Sequence, residues 1–188
     1  CLLAGVNNWS FDPFRLHQLS GGHPLMSLGC RLFQIHGLPQ VFHLDWTSLL
    51  SCLRLMEAGY YKNRFHNAIH AADVAQALHC FLGEPSLRTV LSPLEVLGSI
   101  LAALGHDLYH RGVNQKFFEN SNHFLCTLYN NISVLENFHW RCLVSILKES
   151  KLLSHFSGEQ WRELLRILEF LILATDMQKQ DQYLREFK

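Results

Sequence analysis

The sequence predicts an all-α protein, built as a compact multi-helix bundle in a single domain. Apolar residues recur at intervals of three and four from about residue 43 onward, and serine-based capping patterns precede several of these apolar segments. No segment alternates apolar and polar residues in the way a half-buried strand does. At 188 residues, 48% of them hydrophobic, the chain is long enough to bury a sizeable core.

The N-terminal part is expected to contain mainly loops, because proline and glycine interrupt its short apolar stretches. These residues are Pro13, Gly21, Gly22, Pro24, Gly37 and Pro39. We therefore divide the single domain into a loop-rich segment, 1–42, and a helical core, 43–188.

The helical core begins with two helices that each end at a glycine. Leu49, Leu53 and Met56 share one face of the first helix, which Gly59 should end. The second helix is expected over 67–82 and should stop at Gly83.

Three capping patterns predict where the later helices start. Ser92-Pro93-Leu94-Glu95 combines a serine cap, proline at the first helical position and glutamate at the third. It precedes LEVLGSILAAL, which is apolar on nearly every face and should therefore lie at the centre of the fold. Ser133 with Glu136, and Ser157 with Gln160, repeat the pattern before two further long helices.

Charge and cysteine usage restrict the functional class. Lys+Arg and Asp+Glu both total 16, so no basic field predicts a nucleic-acid partner. No apolar run approaches the roughly 18–20 residues that a membrane span needs. The six cysteines are scattered without a CxxC pair, which favours reduced thiols in a cytoplasmic protein. The chain starts without Met, and we expect it to be a piece of a longer protein. The oligomeric state is not predicted.

Two clusters of polar residues interrupt otherwise apolar helices, and several of the 12 histidines lie in them. FHNAIHAADV (65–74) places His66, His70 and Asp73 at helical spacing, and GHDLYHRGVNQ (105–115) carries His106, Asp107 and His110. Neighbouring side chains on a helix diverge by about 100°, so His106 and Asp107 can reach one ion only beyond a helix end. Gly112 would permit the chain to turn there. Imidazole with carboxylate suits zinc, iron or manganese.

Structural alternatives remain for each of these residues. A single histidine is more often a hydrogen-bonded core or surface residue than a metal ligand, and Asp73 could simply accept a hydrogen bond from a neighbouring helix. Glu136 could be the third residue of a capping box on Ser133. Thr175 could bond back to the backbone of its own helix.

Four segments together resemble the class I cyclic-nucleotide phosphodiesterases. FHNAIHAADV, GHDLYHRGVNQ, SVLENFHW and ILATDM occur in the order and at the spacing of that family. The local sequence is most similar to the type-seven, high-affinity cAMP-specific branch. The resemblance implies a helical bundle of the HD-domain/phosphodiesterase type, with 1–188 as a partial catalytic domain that lacks its C-terminal helices.

The resemblance also implies a role for each matching residue. His66 would donate a proton to the departing ribose oxygen, and His70, His106 and Asp107 would bind the tighter of two divalent metals, usually zinc. Asp107 would bridge to a second metal, usually magnesium, or manganese. His110, Glu136 and Thr175 would hold waters on that second metal, and Phe65 and Met177 would line the substrate pocket. The expected reaction is metal-dependent hydrolysis of a 3′,5′-cyclic nucleotide, cAMP to 5′-AMP.

Departures from the family pattern leave two alternatives open. Tyr109 replaces the second aspartate of HDxDH, Arg111 replaces the following proline, and Phe138 replaces the first histidine of ENHH. Phe65 replaces the common tyrosine before HN. The resemblance also implies that the fourth metal ligand and the purine-binding residues lie beyond Lys188. A non-catalytic regulatory module, or a phosphohydrolase acting on another nucleotide, therefore remains an alternative.

Overall fold

The computed structural model describes residue 3 and residues 5–186, and within them the secondary structure is entirely helical. In chain order the helices are α1 Pro13–Leu19, α2 Pro24–Ile35, α3 Leu38–Val41, α4 Trp46–Ala58, α5 Ala68–Leu82, α6 Pro85–Arg88, α7 Pro93–Gly105, α8 Gln115–Asn120, α9 Phe124–Leu128, α10 Val134–Glu149, α11 Gly158–Leu173 and α12 Gln180–Glu186. A 3-10 helix at Met177–Lys179 joins α11 to α12. The predicted fold class is confirmed.

The expectation of a loop-rich segment at 1–42 is wrong, because α1, α2 and α3 occupy much of it. Its prolines start helices instead of interrupting them: Pro13, Pro24 and Pro39 each lie at the first or second position of a helix. Proline is favoured there, since its fixed φ suits a helix and its missing N–H has no partner to lose. Asp12 completes the start of α1 by accepting hydrogen bonds from the N–H groups of the first turn.

The capping patterns explain most of the helix limits. Complete capping boxes form at Ser92 with Glu95 and at Ser157 with Gln160, as predicted. The expected box on α10 is absent, because Ser133 adopts a left-handed conformation (φ 43°, ψ 50°) and its side chain caps no N–H. The N–H of Val134 donates instead to Oε1 of Gln115, at 3.0 Å.

Helix α7 lies at the centre of the bundle and packs against α5, α11, α10 and α2. Leu97, Ile100, Leu101 and Leu104 on this helix are fully buried, as its apolar sequence predicted. Gly98 allows α11 to approach closely, since a Cβ built there would lie 2.5 Å from Cγ2 of Ile167. The C-terminal end of α7 is therefore fixed deep in the protein.

A smaller apolar cluster lies beside the main core, around α8, α9 and the start of α10. Its buried members are Phe118, Leu125, Cys126, Val134 and Leu135. This cluster holds the first turn of α10 against the segment that follows α7. Among the described residues, no helix combines the length and the apolar character that crossing a bilayer requires.

Candidate metal centre

Two distant segments meet where α7 ends beside the first turn of α5. His106 is the C-cap of α7, Asp107 follows it, and His70 lies in the first turn of α5. Nε2 of His70 and Nε2 of His106 are 3.3 Å apart. Oδ2 of Asp107 lies 3.5 Å from Nε2 of His70 and 3.3 Å from Nε2 of His106. Asp107 and His106 thus reach one point beyond the helix end, as the sequence predicted.

The triangle formed by these three atoms has the dimensions of a metal site. Tetrahedral ligands at about 2.0–2.2 Å from zinc lie about 3.3–3.6 Å from one another. The three measured separations, 3.3, 3.3 and 3.5 Å, fall in this range. The donor set of two imidazoles and a carboxylate suits zinc. The residues present therefore fit the metal that the resemblance implies.

The second ring nitrogen of His106 fixes the tautomer that a ligand needs. Nδ1 lies 2.9 Å from the carbonyl oxygen of Ala103, to which a protonated Nδ1 donates, so that Nε2 carries the free lone pair. Burial alone would lower the pKa of His106, but in the protonated ring Nε2–H can donate to Asp107, and this bond and the charge of the carboxylate raise the pKa. Burial raises the pKa of the Asp107 carboxyl. The hydrogen bond that it accepts from protonated His106 outweighs this effect and holds the pKa well below its usual range.

The other oxygen of Asp107 faces a second group of imidazoles. Oδ1 lies 3.9 Å from Nε2 of His139, and ligand atoms of Asp107, His110 and His139 lie within 4.8 Å of one another. Nδ1 of His139 lies 2.6 Å from the carbonyl oxygen of Leu108, so its Nε2 lone pair also points inward. Burial lowers the pKa of His139 to about 4. Asp107 therefore joins two donor groups, an arrangement that suits a carboxylate bridging two ions.

His110 is arranged differently from His139, because its Nδ1 accepts a hydrogen bond from the N–H of Gly112 at 2.9 Å. Neutral His110 must then carry its proton on Nε2, as a donor. Burial, together with the charge of His66, lowers the pKa of His110 to about 4, which favours this neutral form. Such a ring suits a hydrogen bond to a metal-bound water better than direct ligation. Gly112 has φ 77°, as expected for the predicted turn.

His66 lies beside the site, but not on the helix that the spacing predicted. It precedes Asn67, the N-cap of α5, so His66 and His70 do not share a helical face. Its ring stacks on that of His110 at a centroid distance of 3.8 Å. Nδ2 of Asn63 donates to the carbonyl oxygens of both histidines, at 3.0 and 2.8 Å. Asn63 thus ties together the two segments that carry them.

Asp73 is exposed on α5 and belongs to neither group of candidate ligands among the described residues. The helical spacing that singled it out therefore identified a surface residue.

Glu136 approaches the site from α10 and forms no capping box, contrary to the structural alternative for it. Its Oε2 is buried and has no hydrogen-bond partner among the described residues. Burial, together with the nearby carboxylates of Asp176 and Asp107, raises the pKa of this carboxyl to about 7. A buried carboxyl without a donor is costly unless something satisfies it.

The remaining predicted residues lie at the rim. Oγ1 of Thr175 donates to the carbonyl oxygen of Ile172 at 2.7 Å, the backbone bond that was the structural alternative, and the residue lines a cavity beside His106. Phe65 is 62% exposed and places its ring 4.5 Å from that of His70, whereas Met177 is 72% exposed.

Sequence reasoning missed two features of the site. His139 lies three residues after Glu136 on α10, a spacing that puts both on one helical face and could have identified it. The second feature is a buried hydrogen bond of 2.7 Å from Oγ of Ser133 to Oδ2 of Asp176. No sequence pattern announces this bond, because its partners are 43 residues apart.

Two of the departures from the family pattern, Tyr109 and Phe138, lie away from the ligand atoms. Tyr109 and Phe138 line a shared cavity of about 360 Å³ with Cys142 and Arg141, and none of the candidate metal ligands lines it. The ring of Tyr109 packs against Tyr61 at a centroid distance of 6.2 Å. These replacements therefore make a neighbouring surface aromatic without removing a donor from the cluster.

Comparisons with known proteins show the family to which the chain is similar. Residues 65–188 match the family described as 3′5′-cyclic nucleotide phosphodiesterase. The rat 3′,5′-cyclic-AMP phosphodiesterase 4C is 38% identical over 99% of this chain and 35% of its own length. The probable 3′,5′-cyclic phosphodiesterase pde-1 of Caenorhabditis elegans is 38% identical over 94% of this chain and 27% of its own length.

A solved structure shares the fold. The phosphodiesterase domain of the RhoPDE fusion protein from the choanoflagellate Salpingoeca rosetta superposes with a TM-score of 0.89 at 29% identity. The superposition covers 98% of this chain and 58% of that domain, and the chain spans about a third of the curated relatives' length. With its fold, its ordered motifs and its matched residues, the chain belongs to the 3′,5′-cyclic nucleotide phosphodiesterase family.

Proposed function

We propose that this chain is the metal-binding part of an enzyme that hydrolyses a 3′,5′-cyclic nucleotide, with cAMP as substrate and 5′-AMP as product. The observation that carries the proposal is the convergence of His70, His106 and Asp107 on one point, with the second oxygen of Asp107 facing His110 and His139. Family membership supports the reaction class, and the cyclic-AMP named for the rat relative supports the substrate.

The residues fit two divalent ions, which we assign as zinc and magnesium or manganese. His70, His106 and Asp107 would hold the zinc, and Asp107 would bridge to the second ion. When bound, such a pair of ions activates a water molecule and stabilises charge on the phosphoryl oxygens. His110, Glu136 and Thr175 would hold the water molecules around the second ion.

His66 is the residue we assign as the proton donor to the leaving 3′ oxygen. Its side chain forms no hydrogen bond with another described residue, and stacking on His110 fixes its ring plane without using either nitrogen. An imidazole suits this task because its ordinary pKa lies near neutrality. Phe65, packed against the rings of both His66 and His70, would shield the reacting groups from water, and Met177 would line the same pocket.

The departures in sequence do not favour the non-catalytic alternative. Tyr109 and Phe138 face a separate cavity, and Arg111 is exposed. A donor missing from the cluster would have supported loss of catalysis, but the three ligand atoms are all present. We therefore favour an enzyme over a regulatory module.

The proposal is tested in the full protein that contains residues 1–188. Replacing His70 or Asp107 by alanine should reduce cAMP hydrolysis by at least about 1000-fold, since both residues would hold the zinc and Asp107 would also bridge to the second ion. Asp73→Ala is the matched control, because Asp73 is an exposed aspartate on α5, and it should retain activity. Turnover that survives His70→Ala would refute the assignment.

A panel of substrates separates the remaining alternatives. Hydrolysis of cAMP in preference to cGMP and to linear nucleotides is the expected result. Faster hydrolysis of a linear nucleotide would instead support the other phosphohydrolase.

The type-seven branch and a cytoplasmic location remain our predictions. The five cysteines that the structure describes are free thiols, as expected in a reducing compartment.

A further inference from the structure

One cavity of the described structure lies outside the metal centre. It has a volume of about 710 Å³ and opens between the α1–α2 turn, the end of α4 and the segment that leads into α5. This size is typical of sites for small organic ligands. None of the candidate metal ligands lines it, although Asn63 and Asn67 form part of its wall.

The floor of this cavity is apolar and aromatic. Ala58, Ala68 and Ile69 contribute aliphatic surface to the lining, and Tyr60 and Tyr61 contribute to it as well. The hydroxyl of Tyr60 is already used, because it donates to the carbonyl oxygen of Leu104 at 2.9 Å. Tyr60 can therefore contact a ligand with its ring but not with its hydroxyl. Tyr61 is 45% exposed. Such a floor suits a flat aromatic ring.

Two cationic side chains at the cavity form no ion pair with a described carboxylate. Arg54 and Lys62 are exposed, and neither lies within 4.0 Å of a carboxylate among the described residues. Glu57 is the acidic residue of the lining, but both of its oxygens are engaged. Oε2 lies 2.8 Å from Nδ1 of His23, and Oε1 accepts the N–H of Leu25 at 3.0 Å.

We propose that this cavity is a second binding site, for a small aromatic organic anion whose ring rests on the tyrosine-lined floor and whose acidic group pairs with Arg54 and Lys62. The site is separate from the metal centre and does not depend on the proposed hydrolysis. A ligand there would contact Asn63, whose side chain holds the carbonyl oxygens of His66 and His110.

The test uses 1-naphthyl phosphate as the probe, with the chain kept metal-free by a chelator. Calorimetry should show saturable binding of one molecule per chain. Naphthol, which lacks the charge, and inorganic phosphate, which lacks the ring, should each bind at least about tenfold more weakly. Equal binding of inorganic phosphate would overturn the proposal, because charge alone would then explain the affinity.

Two variants locate the probe. Ala58→Trp fills the cavity and Arg54→Glu reverses the charge at its rim, and each should weaken binding at least about tenfold. Arg166→Glu, an exposed arginine on α11, is the matched control and should bind normally. If Ala58→Trp fails to fold, Arg54→Glu still decides, since its side chain is exposed. Unchanged binding in Arg54→Glu, or binding that is lost in His70→Ala, would overturn the proposal.

Discussion

Nε2 of His70 and Nε2 of His106 face each other at 3.3 Å, with Oδ2 of Asp107 within 3.5 Å of both. His106 donates its Nδ1 proton to the backbone, so its Nε2 presents a lone pair. Two lone pairs and a carboxylate at this distance repel each other unless a proton or a cation lies between them. The burial of His106 and Asp107 strengthens that repulsion, because the interior screens it poorly.

The first prediction concerns the affinity of the metal-free chain for zinc. His70→Ala removes one of three ligands and should weaken zinc binding by at least about 100-fold. Competition with a chromogenic chelator measures this affinity. Asp73→Ala, on the same helix, should bind zinc as the unmodified chain does. Equal affinities of His70→Ala and the unmodified chain would show that zinc binds elsewhere.

The second prediction concerns Glu136 and the pH dependence of stability. The folded pKa of about 7 exceeds the unfolded value of 4.5, so between these pH values the folded chain keeps a proton that the unfolded chain has lost. The free energy of unfolding must therefore fall as the pH rises through this window. Glu136→Gln removes the ionisable group and with it this loss of stability at high pH. Above pH 7 the metal-free variant should therefore be more stable than the unmodified metal-free chain by roughly 1–3 kcal/mol.

Urea unfolding at pH 4.5 and at pH 8 measures this difference. At pH 4.5 the two chains should have nearly equal stability, because Glu136 is protonated in the folded state. Glu149→Gln is the control, since Glu149 is exposed at the other end of the same helix, and it should show no such pH dependence. A stability difference that is the same at both pH values would contradict the account of Glu136.

The third prediction concerns the buried bond between Ser133 and Asp176. Ser133→Ala removes the donor and leaves a buried carboxylate oxygen unpaired, which should lower the free energy of unfolding by about 1–3 kcal/mol. Ser133→Gly removes the same bond but relieves the left-handed backbone, so it should cost less. Ser145→Ala, on the exposed side of α10, should change stability by less than about 0.5 kcal/mol. Thermal or urea unfolding measures the order of stability of the three variants. If Ser133→Ala is as stable as Ser145→Ala, the bond between Ser133 and Asp176 does not stabilise the fold.

The fourth prediction concerns the packing of α7 against α11. Gly98→Ala would normally stabilise a helix by about 1 kcal/mol. Here the new Cβ would lie 2.5 Å from Cγ2 of Ile167, so we expect a net loss of roughly 1–3 kcal/mol. The loss should shrink when Ile167 is also replaced by alanine, because the clash is removed. An equal loss in both backgrounds, measured by urea unfolding, would exclude this contact as the cause.

Local signals explain why much of the fold could be predicted from sequence. The capping boxes at Ser92 and Ser157 satisfy backbone groups within four residues, so the sequence contains all that they need. The position of Asp107 beyond the end of α7 followed from helix geometry in the same way. The same local reasoning misjudged Pro13 and Pro24, because a proline can either break a helix or begin one.

The features that escaped prediction depend on residues distant in sequence. Ser133 has the sequence of a capping residue, but the competing partner Asp176 lies 43 positions away. The position of His66 depends likewise on His110, against which it stacks, and on Asn63, which bonds to both segments. Spacing along one helix could not reveal either relationship.

We expect one cation to join the end of α7 to the start of α5, and anomalous diffraction at the zinc edge can locate it. Crystals of the chain grown with zinc should show an anomalous peak about 2.0–2.2 Å from Nε2 of His70, Nε2 of His106 and Oδ2 of Asp107. A peak bound by other residues, with these three side chains turned apart, would show that no cation joins the two helices at this point.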